Sequence, residues 1–334
     1  MRKSFFHRLT TLLSGVVLVT ICGSPVAGEL TGKPELQAFV NRMVEQHQFN
    51  SDRLVRLFKQ ARLQPDIIAA ISKPAEGKPW YQYRPIFLTE KRIKGGIAFW
   101  DKHAETLARA EQEYGVPAEI IVAIIGVETR YGGYTGKHRV IDALATLAFD
   151  YPPRSKFFTS ELEQYLLMTR EEQIDPLSLK GSYAGAMGIP QFISSSYRNY
   201  AVDFDGDGHR NLWDNPADAI GSVANYFKRH GWKPGEPVAV QAHVSGNRYQ
   251  ELVKKGMKPQ LPLAEFSAFG VQIPEQLDKN QLAALLEFET EGIPEFWLGL
   301  HNFYVITRYN HSSLYAMAVY QLSNEIRKQR EQTK

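Results

Sequence analysis

The stretch from Pro117 to about Tyr131 constrains this chain most, because Ile120-Ile-Val-Ala-Ile-Ile125 presents apolar side chains to every side of a helix. Pro117 suits a first helical position and Glu119 a first turn. A helix that is apolar all round has no solvent face and has to be wrapped by other elements. One acid, Glu128, falls in its last turn, just before Tyr131-Gly132-Gly133. The negative end of the helix and apolar walls both disfavour an ionised carboxyl, so Glu128 is expected to keep its proton near neutrality. A glycosidase needs that state in its general acid. The same placement also suits an ion pair with Arg130 or another cation that merely ends the helix.

Around this helix the spacing predicts a helical shell. Leu36, Phe39, Val40, Met43 and Val44 form one apolar face; Leu54, Leu57, Phe58 and Ala61 form another behind Ser51-Asp52. Three prolines and four aromatics between Pro74 and Phe87 predict an extended crossing segment. Helical spacing resumes from Ile93 to Leu107 and stops at Gly115, and further helices are expected near 155–170, 190–200 and 216–230. From 237 to 300 the apolar residues alternate, as at Val238, Val240, Ala242 and Val244, with frequent prolines and glycines, which predicts a small β-rich unit. Helical spacing returns after Ser312 with Tyr315, Val319, Leu322 and Ile326.

The N-terminus reads as an export signal. Met1 to Arg8 is basic, Leu9 to Cys22 is apolar but short for a membrane span, and Val26 and Gly28 suit cleavage after Gly28. Cleavage removes Arg2, Lys3 and Arg8 and no acid, so the formal net charge of +3 falls to zero and nothing favours nucleic acid as a partner. Cys22 is the single cysteine, so a mature chain without it forms no internal disulfide. A cysteine just after an apolar stretch could carry a lipid anchor to the outer membrane, but Ile21 stands where Gly or Ala is usual; simple cleavage and a periplasmic monomer is the preferred expectation.

Asp203-Phe-Asp205-Gly-Asp207-Gly208-His209-Arg-Asn211 places oxygen ligands at the first, third, fifth and ninth positions and Gly at the sixth, the pattern of an EF-hand calcium loop. The backbone carbonyl of His209 falls at the seventh position, and Asp214 at the twelfth, where a bidentate Glu is usual. A single loop without a paired hand suggests a structural Ca²⁺, with Na⁺ as an alternative ion.

Five segments in order carry a resemblance: Gly126-Val-Glu-Thr-Arg-Tyr-Gly132, Gly181-Ser-Tyr-Ala-Gly-Ala-Met-Gly-Ile-Pro-Gln-Phe192, the loop from Asp203, Asn215-Pro-Ala-Asp-Ala-Ile-Gly-Ser-Val-Ala-Asn-Tyr-Phe227 and Arg308-Tyr-Asn-His-Ser312. Together they resemble the B-type lytic murein transglycosylases, from about residue 30 to the C-terminus. The resemblance implies a mainly α (α+β) protein: a signal peptide at 1–28, an N-terminal helical domain at 29–100, a lysozyme-like core at 101–236 and 301–334 with its EF-hand-like loop at 203–218, and an inserted β domain at 237–300. It implies cleavage of the β-1,4 bond between N-acetylmuramic acid and N-acetylglucosamine with 1,6-anhydromuramic ends, Glu128 acting as acid and then base, and no organic cofactor. Carried over by motif, Ser182 would orient Glu128, while Met187, Gln191, Phe192, Tyr309, Asn310 and Tyr315 would surround the reacting sugar. Tyr83 and Tyr226 would line the groove, and Arg154 would meet acidic or peptide parts of the substrate, although Pro153 replaces an arginine often paired with it. Asp218 is the last metal ligand the resemblance implies, with Asp214 as the alternative. No second carboxylate suggests itself as a partner for Glu128: Glu161, Glu163 and Asp142 read as exposed or capping acids.

Overall fold

A computed structural model describes residues 30–72 and 77–333, so the expectations for the leader and Cys22 lie outside the described residues. The apolar helix is α7, Ala118–Thr129, and every residue from Ile120 to Gly126 is buried. No long-range rule is needed for this: a helix with no polar stripe is stable only where neighbours cover all of it.

The cover comes from both ends of the chain. Helices α1 (Pro34–His47), α2 (Ser51–Gln60) and α3 (Pro65–Ile71) lead into α4 (Trp80–Phe87), α5 (Glu90–Lys102) and α6 (Ala104–Tyr114). After α7 come α8 (Val140–Asp150), α9 (Ser155–Glu171), α10 (Ser194–Tyr200) and α11 (Pro216–Arg229). Two short strands, β1 (His138–Arg139) and β2 (Lys180–Gly181), pair antiparallel between them. The final helices, α13 (His301–Tyr309) and α14 (Ser313–Gln332), follow the short helix α12 (Gln250–Val253). Helix α7 packs directly against α5, α6, α11 and α14. Side-chain caps start several of these helices: Asn50, Thr89, Asn215 and Ser312 each accept from a backbone N–H of the first turn.

Between α11 and α13 the chain forms a five-stranded antiparallel sheet. Its strands are β3 (Ala239–Val244), β4 (Leu261–Pro262), β5 (Val271–Gln272), β6 (Leu282–Phe288) and β7 (Glu295–Gly299), in the spatial order β4-β6-β7-β3-β5. Leu285 opposite Leu298, and Val240 opposite the same Leu298, set the register. One face encloses a separate small core that includes Leu263, Phe266, Leu285 and Leu298, while Leu286 and Phe288 point into the large core with α7. The alternation of strand side chains lets one sheet serve both cores.

Two sequence expectations need correcting. The segment from Pro74 to Phe87 is not extended throughout: Trp80–Phe87 is helical with Pro85 inside it. Proline removes one intrahelical hydrogen bond there, but buried Trp80 and Tyr83, packed on Phe288 and Phe87, hold the short helix in place. Asp142 is buried and not exposed, whereas Glu161, also buried, takes the capping role that was the alternative. Asp142 accepts from Nε and Nη2 of Arg139 at 2.8 and 2.9 Å and from the Arg62 amide at 3.0 Å, and Glu161 accepts from the Ser195 amide at the start of α10.

Candidate active site

Glu128 leaves the C-terminal turn of α7, where the backbone breaks sharply. Arg130 and Tyr131 both adopt left-handed conformations, φ 53° and 64°, which cost non-glycine residues energy and concentrate at functional sites. The break is held by Tyr131, whose hydroxyl donates to the Arg92 carbonyl at 2.7 Å and whose ring fills the space beside Gly126. A Cβ on Gly126 would come within 2.5 Å of that hydroxyl, so only glycine fits. Buried Arg92 donates to the Gly126 carbonyl, which also accepts from the Arg130 amide, and so places a cation against the carbonyl end of the helix. Arg92 lies outside every motif quoted above, and nothing in its local sequence signals this contact across 34 residues.

Glu128 is half-buried, and burial lifts its carboxyl from an ordinary 4.5 to about 7. Its Oε1 accepts a hydrogen bond from the Tyr315 hydroxyl at 2.6 Å, which opposes the rise by favouring the carboxylate. Among the described residues no other hydrogen bond and no ion pair reaches Glu128, so the alternative of a pair with Arg130 fails. Burial is the largest cause of the rise, and no second acid among the described residues contributes to it.

An aromatic wall surrounds this carboxyl. Tyr315 starts α14 and is buried; Tyr309 ends α13, and its hydroxyl donates to the Pro190 carbonyl at 2.6 Å. Burial and the nearby Glu128 charge push both phenols well above their ordinary value, so they act as hydrogen-bond donors and not as bases. Tyr309 packs on Phe192, Tyr226 and Phe227 with ring centroids 5.9, 4.8 and 5.7 Å apart. Tyr226 donates to the Arg308 carbonyl at 2.6 Å. Tyr83, stacked on Trp80, lies close enough to Tyr315 to influence its ionisation. Asn310 caps the end of α13, and its half-exposed amide makes no hydrogen bond among the described residues.

The small-residue segment folds into a tight hairpin in which Met187 and Phe192 exchange backbone hydrogen bonds at 2.8 and 3.0 Å. Gln191, at the tip with φ 53°, donates to the carbonyls of Gly188 and Thr135 at 2.9 and 3.1 Å. Met187 and Phe192 are buried beneath it. The Ser182 hydroxyl oxygen accepts from the amides of Ala184 and Ala186, and among the described residues it makes no hydrogen bond to Glu128. Arg154 is exposed, its guanidinium over Phe157 and Phe158 at 4.4 and 5.1 Å, with no ion pair among the described residues.

The acidic loop is organised around carboxylates that accept from the backbone. Asp203 accepts from Gly206, Asp207 and Gly208, the glycines having φ 80° and 92°. Fully buried Asp218 accepts from Phe204 and Asn211, each at 2.7 Å. Oxygens of Asp203, Asp205 and Asp218 lie within 4.8 Å of one another, a group that leaves out Asp207 and Asp214. Asp207 instead accepts from the His209 amide at 2.8 Å, and Asp214 is exposed. Burial raises the Asp218 carboxyl, the Phe204 and Asn211 amides oppose the rise, and Asp205 and Asp203 add to it by like-charge repulsion. Three converging carboxylates with no ion pair to a cation among the described residues fit a hard metal ion. Phe204, inside the loop, wedges against Arg109 of α6, whose guanidinium lies 3.8 Å from its ring centre, and against Gly221 of α11.

Residues 31–324 match the Transglycosylase SLT domain family. The chain belongs to that family. Membrane-bound lytic murein transglycosylase B of Escherichia coli K12 is 47% identical over 311 residues, covering 90% of this chain and 85% of that protein. Soluble lytic transglycosylase SltB1 of Pseudomonas aeruginosa superposes with a TM-score of 0.85 at 54% identity, covering 89% of this chain and 100% of the other. The Escherichia coli lytic transglycosylase SLT35, solved in complex with calcium, gives 0.83 at 46% identity, with 91% and 96% covered. The fold is accordingly mainly helical with a lysozyme-like core.

Proposed function

We propose that this chain, a peptidoglycan lytic transglycosylase, carries out both proton transfers of its reaction through Glu128. Protonated Glu128 gives its proton to the oxygen leaving carbon 1 of N-acetylmuramic acid, and the glycosidic bond to N-acetylglucosamine breaks. The substrate's own N-acetyl group supports the positive carbon. Glu128, now a carboxylate, takes the proton of the 6-hydroxyl as that oxygen closes on carbon 1, so a 1,6-anhydro ring forms, no water is consumed and the acid is regenerated.

The observation that supports this most is a half-buried carboxyl lifted to about 7 with a tyrosine hydroxyl as its hydrogen-bond partner, and with no other acid among the described residues contributing to the shift. A hydrolase of the two-carboxylate kind needs a second acid about 5–10 Å away. Tyr83, Tyr226, Tyr309, Asn310, Gln191 and the Met187–Phe192 hairpin then form the walls that hold the sugar, and Arg154 offers a free cation to substrate carboxylates. Mass spectrometry of digested peptidoglycan tests the reading: anhydromuramic products are expected, and products carrying an added water would refute it.

In the acidic loop, Asp203, Asp205 and Asp218 would hold Ca²⁺, with Asp207 and the His209 carbonyl completing the shell and Na⁺ as a weaker substitute. The ion would tie α11 to the loop and neutralise the three acids; it takes no part in the proton transfers. We read the enzyme as periplasmic, with simple cleavage preferred and a lipid anchor to the outer membrane as the alternative; one relative is named membrane-bound and another soluble. The mass of the mature N-terminus separates a lipid on Cys22 from cleavage after Gly28.

A further inference from the structure

Two aromatic side chains beside the catalytic helix have no partner in the fold. Tyr134 is 61% exposed and Tyr183 39%, and among the described residues neither ring packs on another ring and neither hydroxyl makes a hydrogen bond. Exposed aromatics on mobile tails would mean little, but these stand on fixed backbone. The Tyr134 amide donates to the carbonyl of Thr129, the residue after Glu128, at 2.9 Å. Tyr183 rides on a tight turn closed by Gly185 N–H to Ser182 O at 3.0 Å and Ser182 N–H to Ala186 O at 2.8 Å.

The two turns also belong together. Strands β1 and β2 pair antiparallel with His138 opposite Gly181, so the chain before β1 and the chain after β2 lie at one end of the pair. There Gly136, at φ 103°, presses on the Gly181–Ser182 peptide so closely that a Cβ would lie 2.0 Å from the Gly181 carbonyl. Thr135, between Tyr134 and Gly136, accepts from Gln191, so this end of the pair abuts the hairpin beside the reacting centre. Past Thr135 and Lys180 the surface continues into a cleft of about 520 Å³ bordered by Arg210, Asn211 and Trp213, a volume in the range of ligand pockets.

We propose that Tyr134 and Tyr183 form an outer platform for sugar units of the same glycan strand, beyond those that meet Glu128. The proposal rests on the reading that the chain cleaves glycan strands. A pyranose ring presents one face of C–H bonds and a rim of hydroxyls, and a tyrosine matches it with a flat apolar face and a polar tip. Its few rotatable bonds make the contact cheap in entropy. Such a platform lengthens the contact with long strands and leaves the bond-breaking step to the groove.

The test compares long glycan strands freed of stem peptides with a purified tetrasaccharide, using the full chain and reading release of 1,6-anhydro product. The double variant Tyr134→Leu/Tyr183→Leu is expected to lose roughly tenfold in the ratio of kcat/KM for long strands over tetrasaccharide, through KM. Tyr134→Phe/Tyr183→Phe keeps the ring faces and is expected to keep the ratio. An unchanged ratio in the Leu pair overturns the platform, and so does an equal loss on both substrates, the mark of a merely structural effect. If the unsubstituted chain releases no 1,6-anhydro product from either substrate, the functional reading itself falls, and the platform with it.

Discussion

Glu128→Gln is expected to stabilise the protein while abolishing its chemistry, and the size of the gain depends on pH in a defined way. The folded protein holds the Glu128 proton up to about pH 7, whereas an unfolded chain releases it near 4.5. Between those values the folded state binds more protons than the unfolded state, so stability falls as pH rises. At 1.36 kcal/mol per pH unit the gap corresponds to about 3 kcal/mol, present in full below pH 4.5 and lost by pH 8. Glutamine keeps an oxygen for the Tyr315 hydroxyl but has no charge to bury, so the variant escapes the loss. Thermal unfolding followed by circular dichroism at pH 4.5 and pH 8 measures this directly. The two proteins should melt together at the lower pH, and the variant should melt about 5 °C higher at pH 8. An equal difference at both values, or a less stable variant at pH 8, would refute the claim that burial of the charge sets the state of Glu128.

Three further outcomes follow from the same geometry. Tyr315→Phe removes the one hydrogen bond that favours the carboxylate, so the alkaline limb of kcat/KM should move up by about one pH unit; a downward shift in the pH–rate profile would contradict the assignment. A calcium chelator should lower the melting temperature of the native chain, by the equivalent of about 2.7 kcal/mol from a hundredfold excess of Ca²⁺ over its Kd, and should leave Asp205→Ala unmoved. Asp142→Ala strands the Arg139 guanidinium and the Arg62 amide and should cost about 2–3 kcal/mol in urea unfolding, without changing the product released.

How much of this was readable in the sequence differs by element. The central helix was legible because an apolar run with no polar stripe has one stable environment, and Glu128 was legible because it ends that run. The reason for its protonation was only half legible: spacing points to the helix end and to burial together, while the depth of the burial and the opposing Tyr315 hydroxyl come from residues far away in the chain. Helix α4 was hidden by its prolines, because tertiary contacts of Trp80 and Tyr83 override the local preference. Helix α13 lacked a distinct spacing signal and is held by Phe303, Val305 and Ile306 in the main core. The expected orienting role of Ser182 found no direct contact, its oxygen being occupied by two amides of its own turn. Arg92 could not have been found at all, since a contact from one helix to the end of another leaves no trace in either local pattern.

The bond between Glu128 and Tyr315 joins residues 187 positions apart. Helix α14, which carries the tyrosine, is also one wall of the bed in which α7 lies. A polypeptide emerging N-terminus first therefore contains Glu128 long before it contains the helix that completes its surroundings. A chain cut before Ser313 would lack both the α14 side of that bed and the hydroxyl that Glu128 accepts from.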